Sequence, residues 1–163
     1  MKRTVVIGCS GSGKSVFSRK LRDATGLSLY YLDMIWHKPD GTNISREEFD
    51  KQLDSIISRD SWIIDGNYQR TLETRIKACD TVFLFDLPTE ICIEGALSRI
   101  GKKREDMPWF KNELDPEFRQ WIESFRANQL PEVYRLLEKY KNNREIVVFR
   151  TREQADKFIE KLV

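Results

Sequence analysis

The sequence has 163 residues, the length of a single domain, and its 28 lysines and arginines nearly balance its 26 aspartates and glutamates. The net charge of +2 argues against a nucleic-acid partner, which usually requires a concentrated basic face. No apolar run approaches the roughly 20 residues that cross a membrane, and three cysteines without metal-ligand spacing are typical of a cytoplasmic protein.

Short apolar runs alternate with helical patterns along the whole chain. The runs that predict strands are Thr4–Ile7, Leu27–Leu32, Trp62–Ile64, Thr81–Leu87 and Ile146–Phe149. Helices are predicted to begin near Ser15, after the capping residue Ser45, at Thr89, after Asp115, near Pro131 and after Thr151. This alternation predicts an α/β fold, a three-layer sandwich in which helices cover both faces of a five-stranded parallel sheet.

The segment Gly101–Glu117, "GKKREDMPWFKNELDPE", is the one clear shift in composition, because it is rich in charge and poor in aliphatic residues. A segment of this kind between two helices is typical of a mobile loop or lid. We expect this segment and the helix that follows it to form a helical lid over about residues 100–127. No linker divides the chain, so residues 1–163 are expected to form one domain.

Residues Gly8–Ser15 match the pattern G-x-x-x-x-G-K-[ST] and stand directly between a predicted strand and a predicted helix. The glycines permit backbone conformations in which several N–H groups converge on one anion, and the helix adds the positive end of its dipole. Lys14 is expected to reach the β- and γ-phosphates, and Ser15 to bind Mg²⁺. The pattern predicts a nucleoside triphosphate site for ATP and Mg²⁺, although it does not decide between ATP and GTP. The expected phosphate-binding residues are Gly8, Cys9, Ser10, Gly11, Ser12, Gly13, Lys14 and Ser15.

Two aspartates stand at the ends of predicted strands, where a phosphate-binding loop needs an acidic partner for its metal. Asp65 closes "WIID" and Asp86 closes "VFLFD". The longer apolar run before Asp86 favours that residue, and either aspartate could instead cap a turn. Spacing alone leaves both open.

The stretch "WIIDGNYQRT" resembles the strand and turn "LLDGFPRT" of adenylate kinases, and "ACDTVFLFDLPTE" resembles their next strand. This resemblance implies that Asp65 lies near the Mg²⁺ water shell and that Asp86 is structural. Further motifs, "LDMIW", "DGNY", "LFDLP" and "GKKREDMP", extend the resemblance over nearly the whole chain to the adenylate-kinase-like P-loop proteins often labelled DNA topology-modulation proteins. The resemblance implies a P-loop NTPase fold like that of nucleoside-monophosphate kinases, together with nucleotide binding.

Two departures from the adenylate-kinase pattern bear on the acceptor. The turn Gly66–Arg70 is one residue longer than its counterpart, which displaces the arginine that grips the acceptor phosphate there, and Arg70 or Arg75 could replace it. Asp33 stands where shikimate-kinase-like proteins place an aspartate beside the accepting hydroxyl, a group that benefits from a base.

Residues near these departures are candidates for an acceptor pocket. Asn67 and Tyr68 belong to the altered turn, and Trp36 follows Asp33 by three residues. The two aromatic residues could equally be part of the core. His37 is the only histidine and is expected to be a surface residue.

Arginines cluster around the expected lid. Arg99 and Arg104 flank its beginning and resemble the pair that contacts the donor in adenylate kinases, which implies that they close over the γ-phosphate. Arg126 lies on the helix that leaves the lid and is expected to swing towards the acceptor. Arg150 follows the last predicted strand, the position from which this fold reaches the donor's base. A charged run can also be an ordinary solvated surface.

These features predict an ATP-dependent phosphotransferase that acts on an unidentified small acceptor, either a nucleotide or a hydroxyl compound. Lys14, Asp33, Arg99 and Arg104 are the expected catalytic residues, with Asp33 as a possible base. One alternative is a nucleotide-binding regulator or DNA-binding protein with little kinase activity, although no helix-turn-helix or RNA-recognition signature is present. Another is a simple nucleotide hydrolase. The sequence does not fix the oligomeric state.

Overall fold

Five parallel strands form a single sheet in the computed structural model, which describes all residues from 1 to 163. The strands are β1 (Arg3–Gly8), β2 (Leu29–Tyr31), β3 (Trp62–Asp65), β4 (Thr81–Phe85) and β5 (Glu145–Phe149), in the order β2-β3-β1-β4-β5. Every neighbouring pair is parallel. The predicted α/β fold with a five-stranded parallel sheet is therefore confirmed.

Eight helices connect the strands. They are α1 (Lys14–Thr25), α2 (Leu32–Trp36), α3 (Arg46–Ile57), α4 (Gln69–Ala78), α5 (Thr89–Ser98), α6 (Pro116–Asn128), α7 (Leu130–Lys139) and α8 (Arg152–Glu160). The side chains of Ser45, Asp115 and Thr151 accept hydrogen bonds from backbone N–H groups in the first turns of α3, α6 and α8. These caps confirm three of the predicted helix starts.

The helices α2 and α4 have no counterpart among the sequence predictions. Helix α4 follows Tyr68, whose backbone is left-handed with φ of 35° and whose side chain forms no capping hydrogen bond. The usual sequence signal for a helix start is therefore missing. Strand β2 ends at Tyr31, before the predicted end at Leu32, because the chain turns directly into α2.

The order of the strands determines where a ligand can bind. The connection from β1 to β2 runs in one direction along the sheet, whereas the later connections run in the other. Right-handed crossovers that run in opposite directions lie on opposite faces, so α1 covers one face and α3 to α7 cover the other. The carboxyl ends of β1, β3 and β4 adjoin where the direction reverses, and ligands bind at this point in open α/β sheets.

The core holds the phosphate loop in place through its two flanking elements. Val5 and Val6 of the central strand β1 are completely buried. Phe17 of α1 packs edge-on against Phe83 and Phe149, with ring centroids 4.9 and 5.2 Å apart. Because β1 and α1 are both fixed in this way, the loop between them has two firmly packed ends.

The connecting segment, residues 101–115, joins α5 to α6 and contains no helix or strand. Its only regular pairing is an isolated antiparallel bridge between Arg104 and Met107. It corresponds to most of the charged segment from which the sequence predicts a lid.

None of the eight helices combines the length and apolar character needed to cross a membrane. The three cysteines, Cys9, Cys79 and Cys92, are buried and form no disulfide.

Candidate active site

The phosphate loop has the geometry of an anion-binding turn. Gly13 precedes α1 with φ of 104°, a value that favours glycine, and no side chain caps the helix there. The first N–H groups of α1 are therefore free to bind an anion. Lys14 curls back over the loop, and its Nζ donates to the carbonyl oxygen of Cys9 at 3.2 Å. The Ser12 hydroxyl is buried and has no hydrogen-bond partner.

The outer side of the loop is packed against α5 and bound by α8. A methyl group on Gly11 would lie 2.0 Å from the carbonyl oxygen of Cys92, so no larger residue fits. Arg152 donates to the carbonyl oxygens of Gly11 at 2.7 Å and Ser12 at 3.3 Å. These contacts fix the orientation of two peptide groups in the loop. Arg152, rather than Arg150, is thus the arginine after β5 that contacts the phosphate loop.

Asp65, at the end of β3, is the strand-end aspartate beside the phosphate loop. Its side chain is 4% exposed, and its Oδ2 has no hydrogen-bond partner. Burial raises the pKa of this carboxyl to about 6, while Lys14 and the hydroxyl of Ser15 act in the opposite direction. An unpartnered carboxylate oxygen close to a serine hydroxyl is a donor set that suits Mg²⁺. No group of three or more acidic, histidine or cysteine side chains could hold a metal ion unaided, so such an ion would also need phosphate or water oxygens.

Asp86, the other strand-end aspartate, is occupied by three side chains. Arg126 lies 2.9 Å from its Oδ1, and both Arg150 and the hydroxyl of Tyr134 donate to its Oδ2. This arrangement joins the end of β4 to α6, α7 and the end of β5. It differs from the expectation that Arg126 reaches the acceptor and Arg150 the donor's base, because a nearly buried carboxylate attracts both guanidinium groups.

Arg75 likewise lies too deep in the protein to bind an acceptor. It is completely buried in α4, and it donates to the carbonyl oxygens of Gly66 at 2.8 Å, Tyr68 at 3.1 Å and Asn67. Burial lowers its pKa to about 9. Arg75 therefore shapes the turn that precedes α4 and lines neither large cavity of the molecule, in contrast to the sequence expectation of an acceptor-binding residue.

The turn that Arg75 supports positions two predicted site residues. Asn67 accepts a hydrogen bond from the N–H of Gly8 at 3.0 Å, which ties the turn to the beginning of the phosphate loop. Tyr68 donates through its hydroxyl to Oδ1 of Asp33 at 2.6 Å. Burial, together with the nearby Asp33 carboxylate, raises the pKa of Tyr68. The tyrosine therefore stays protonated as a donor that orients Asp33.

Trp36 packs behind this pair. The ring centroid of Trp36 lies 6.5 Å from that of Tyr68 and 5.8 Å from that of Phe49. The rings of Phe49 and Tyr68 stack on each other with centroids 5.3 Å apart. Trp36 lines neither of the two large cavities of the molecule. It supports the site as a packed aromatic residue, and the alternative interpretation from the sequence is the one that matches its position.

Two large cavities meet at the phosphate loop. The basic cavity, about 590 Å³, is lined by Gly11, Gly13, α1 and the lysines Lys102 and Lys103. The aromatic cavity, about 690 Å³, lies between Asp33, Tyr68 and the connecting segment. Five residues line both cavities, namely Lys14, Ser15, Arg99, Arg104 and Asp106. A ligand in one cavity would therefore meet a ligand in the other at this group.

The shared group combines positive charge with one buried carboxylate. Burial lowers the pKa of Arg99 to about 10, and its Nε has no hydrogen-bond partner. Asp106 is 5% exposed, lies 3.8 Å from Arg104, and accepts from the hydroxyl of Ser15 at 3.4 Å. Arg99 and Arg104 thus line both cavities beside the phosphate loop, and their closure over a γ-phosphate stays a prediction.

Several residues of the site have no counterpart among the sequence predictions. Asp106 is part of the motif "GKKREDMP", so its place in that motif was the available signal. Trp109, Phe118 and Trp121 line the aromatic cavity. Phe118 and Trp121 belong to the apolar stripe of α6, whose helical spacing does not tell which side lines a cavity. Trp109 lies in the connecting segment, where no periodic pattern predicts its position.

The fold is shared with solved kinases that act on small molecules. The chain is similar to shikimate kinase from Acinetobacter baumannii in complex with shikimate, with a TM-score of 0.62 and 16% identity, covering 99% of this chain and 93% of that one. It is also similar to a sugar kinase from Janibacter sp. (TM-score 0.52, 20% identity, 99% and 91% covered) and to a gluconokinase from Sinorhizobium meliloti (TM-score 0.52, 14% identity, 99% and 89% covered). These likenesses establish a P-loop kinase fold. No protein-family model and no curated protein matches the sequence.

Proposed function

We propose that this protein is a P-loop phosphotransferase that moves the γ-phosphoryl group of ATP to a hydroxyl group of a small acceptor. The observation that carries the proposal is the meeting of two cavities at Lys14, Ser15, Arg99, Arg104 and Asp106. A hydrolase needs only one ligand cavity beside its phosphate loop. Two cavities that share three cationic residues suit a donor and an acceptor that react where they touch.

In this proposal the basic cavity takes ATP. The N–H groups at the start of α1 and the ammonium group of Lys14 hold the phosphates, while Arg152 fixes the loop from outside. Ser15 and Asp65 are the groups that would hold Mg²⁺, which neutralises phosphate charge when bound. Arg99 and Arg104 stabilise the negative charge that spreads over the transferring phosphoryl group.

The acceptor occupies the aromatic cavity, with its hydroxyl group near Asp33. The carboxylate of Asp33 is held by the hydroxyl of Tyr68 at 2.6 Å and can take the proton that the acceptor loses. The similar solved structures, a shikimate kinase, a sugar kinase and a gluconokinase, support a hydroxyl acceptor of this kind. Membership of the topology-modulation family, and a role with DNA, stay predictions from the sequence.

The test is a Lys14→Ala variant compared with the wild-type protein. We expect ADP formation from ATP, measured with a panel of hydroxylated compounds, to fall by about 100-fold or more in the variant. Lys157→Ala removes a lysine paired with Glu153 on the surface and serves as the control with unchanged activity. Circular dichroism should be the same for all three proteins. Full activity of Lys14→Ala, or no heat of binding of Mg·ATP to the wild-type protein, would overturn the proposal.

A further inference from the structure

The two cavities differ sharply in charge away from the residues that they share. Five cationic side chains line the basic cavity alone, against two carboxylates, Glu105 and Asp156. The cationic residues are Arg19, Lys20, Lys102, Lys103 and Arg152. Five carboxylates line the aromatic cavity alone, those of Asp33, Asp65, Glu113, Asp115 and Glu117, together with one lysine and one histidine.

The two basic residues of the aromatic cavity already have partners. Lys111 lies 3.3 Å from Asp115, and its ammonium group stands 5.5 Å from the ring centre of Trp109. His37 binds Asn43 at 2.9 Å through Nδ1, and its Nε2 faces Asp33 at 4.0 Å. Neither group is free to neutralise an anionic ligand.

The arginines that could have reached this cavity are committed elsewhere. Arg75 binds three backbone carbonyl oxygens, and Arg126 is paired with Asp86. Arg70 forms a two-pronged pair with Asp50 on the surface, at 2.7 and 3.0 Å. A bidentate arginine is the usual protein group for a carboxylate or phosphate, and the acceptor side of the cleft offers none beyond Arg99 and Arg104, which stand at the phosphate loop.

The wall of the aromatic cavity is suited to a flat or apolar body. Phe118 and Trp121 stack in parallel, with ring centroids 6.1 Å apart and planes within 6° of each other. Phe118 is 38% exposed although it is large and apolar. The indole N–H of Trp109 is buried and has no partner, so a ligand oxygen could accept a hydrogen bond from it.

We infer that the acceptor is a hydroxylated ring compound without a phosphate or carboxylate group, uncharged or bearing an amine. This inference rests on the proposed function and adds the acceptor's chemical class to it. Away from Lys14, Arg99 and Arg104 at the phosphate loop, an anion in the aromatic cavity would be desolvated among carboxylates with no unpaired cation beside it. A protonated amine would be attracted by the same carboxylates and by the faces of the aromatic rings. A neutral ring would stack on those aromatic side chains.

The experiment uses two matched pairs of acceptors, adenosine with AMP and glucose with glucuronate. The members of each pair share a ring skeleton and differ in the phosphate or carboxylate group. ADP formation gives kcat/KM for each compound, and calorimetry gives its dissociation constant with and without a non-hydrolysable ATP analogue. We expect the member without the anionic group to be favoured by about tenfold or more in at least one pair.

A charge variant tests the cause of this preference. Glu113→Gln/Glu117→Gln removes two exposed carboxylates of the aromatic cavity that form no ion pair. We expect this variant to reduce the ratio of kcat/KM values between the two members of the favoured pair by about threefold or more. Glu132→Gln/Glu138→Gln removes two carboxylates of α7 that do not line the cavity, and this control should leave the kcat/KM ratio unchanged.

The outcomes separate the inference from the proposed function. Better binding of AMP or glucuronate, equal binding within both pairs, or no binding of any of the four compounds would overturn the inference. A ratio that the first charge variant does not change would also overturn it. Binding of adenosine or glucose in preference to AMP or glucuronate, without any ADP formation, would support the inference and contradict the phosphotransferase.

Discussion

A methyl group placed on Gly95 of α5 would lie 2.0 Å from the carbonyl oxygen of Gly11 in the phosphate loop. The helix and the loop therefore approach as closely as two backbones can. Glycine is otherwise unfavourable inside a helix, where alanine is more stable by roughly 0.5–1 kcal/mol. Glycine is required at position 95 because any side chain there would collide with the phosphate loop.

Gly95→Ala is therefore expected to destabilise the protein, although the replacement of glycine by alanine inside a helix usually stabilises it. The methyl group must displace the loop, so we predict a loss of about 1–3 kcal/mol of stability and weaker binding of Mg·ATP by about tenfold or more. Calorimetry and thermal unfolding measure the two effects. Glu94→Ala changes an exposed neighbour in the same helix and is the control. A stabilised Gly95→Ala protein with normal nucleotide binding would contradict the close approach.

Arg75→Met is expected to destabilise the protein by at least about 3 kcal/mol, because three backbone carbonyl oxygens lose their donor in a buried site. Urea denaturation measures the effect. Arg70→Ala, one turn earlier in α4, removes only an exposed pair with Asp50 and should cost no more than about 1 kcal/mol. Similar losses for the two variants would show that Arg75 is not the internal support of the turn.

The raised pKa of Asp65 predicts an unusual dependence of stability on pH in the metal-free protein. A carboxyl with a pKa of 3.8 in the unfolded chain and about 6 in the folded one binds its proton more tightly when folded. Its contribution to the free energy of unfolding therefore falls as pH rises between these values, by up to about 3 kcal/mol.

Asp65→Asn removes this titration and is expected to be the more stable protein near pH 7. Near pH 4 the difference between the two proteins should largely disappear, because the aspartic acid is then uncharged. Urea denaturation in the presence of EDTA at several pH values measures the difference. A difference that is constant over this range would rule out the raised pKa.

Asp33→Asn is expected to lower kcat by about 10²–10⁴-fold, because the amide cannot take a proton from the acceptor. Tyr68→Phe keeps the carboxylate and removes only the hydrogen bond that orients it, so we predict a smaller loss of about tenfold. Steady-state kinetics with the best acceptor gives both values. His37→Gln is the control, since a large loss there would mean that histidine, and not Asp33, is the base.

The parts of the protein that the sequence predicts are the local ones. The strand β1, the glycine loop and the start of α1 follow one another without interruption, so the pattern and its geometry coincide. The helix caps at Ser45, Asp115 and Thr151 are equally local, because each side chain binds an N–H group two or three residues later.

The parts that the sequence does not predict depend on distant partners. Arg150 is paired with Asp86, 64 residues earlier in the chain, and no pattern along the sequence announces that contact. Arg75 looks like a free cation until α4 turns it towards the backbone of residues 66–68. The aromatic wall likewise forms only when α6, with Phe118 and Trp121, and the connecting segment, with Trp109, pack beside the cleft.

The uneven distribution of charge in the cleft also bears on what happens after the reaction. Phosphorylation would turn a neutral or cationic guest into an ester that carries up to about two negative charges. The side chains of Glu113, Asp115 and Glu117 would then repel the molecule they had just admitted. The reaction would therefore turn favourable electrostatics in the aromatic cavity into unfavourable ones, and this change would promote release of the product without a separate conformational opening.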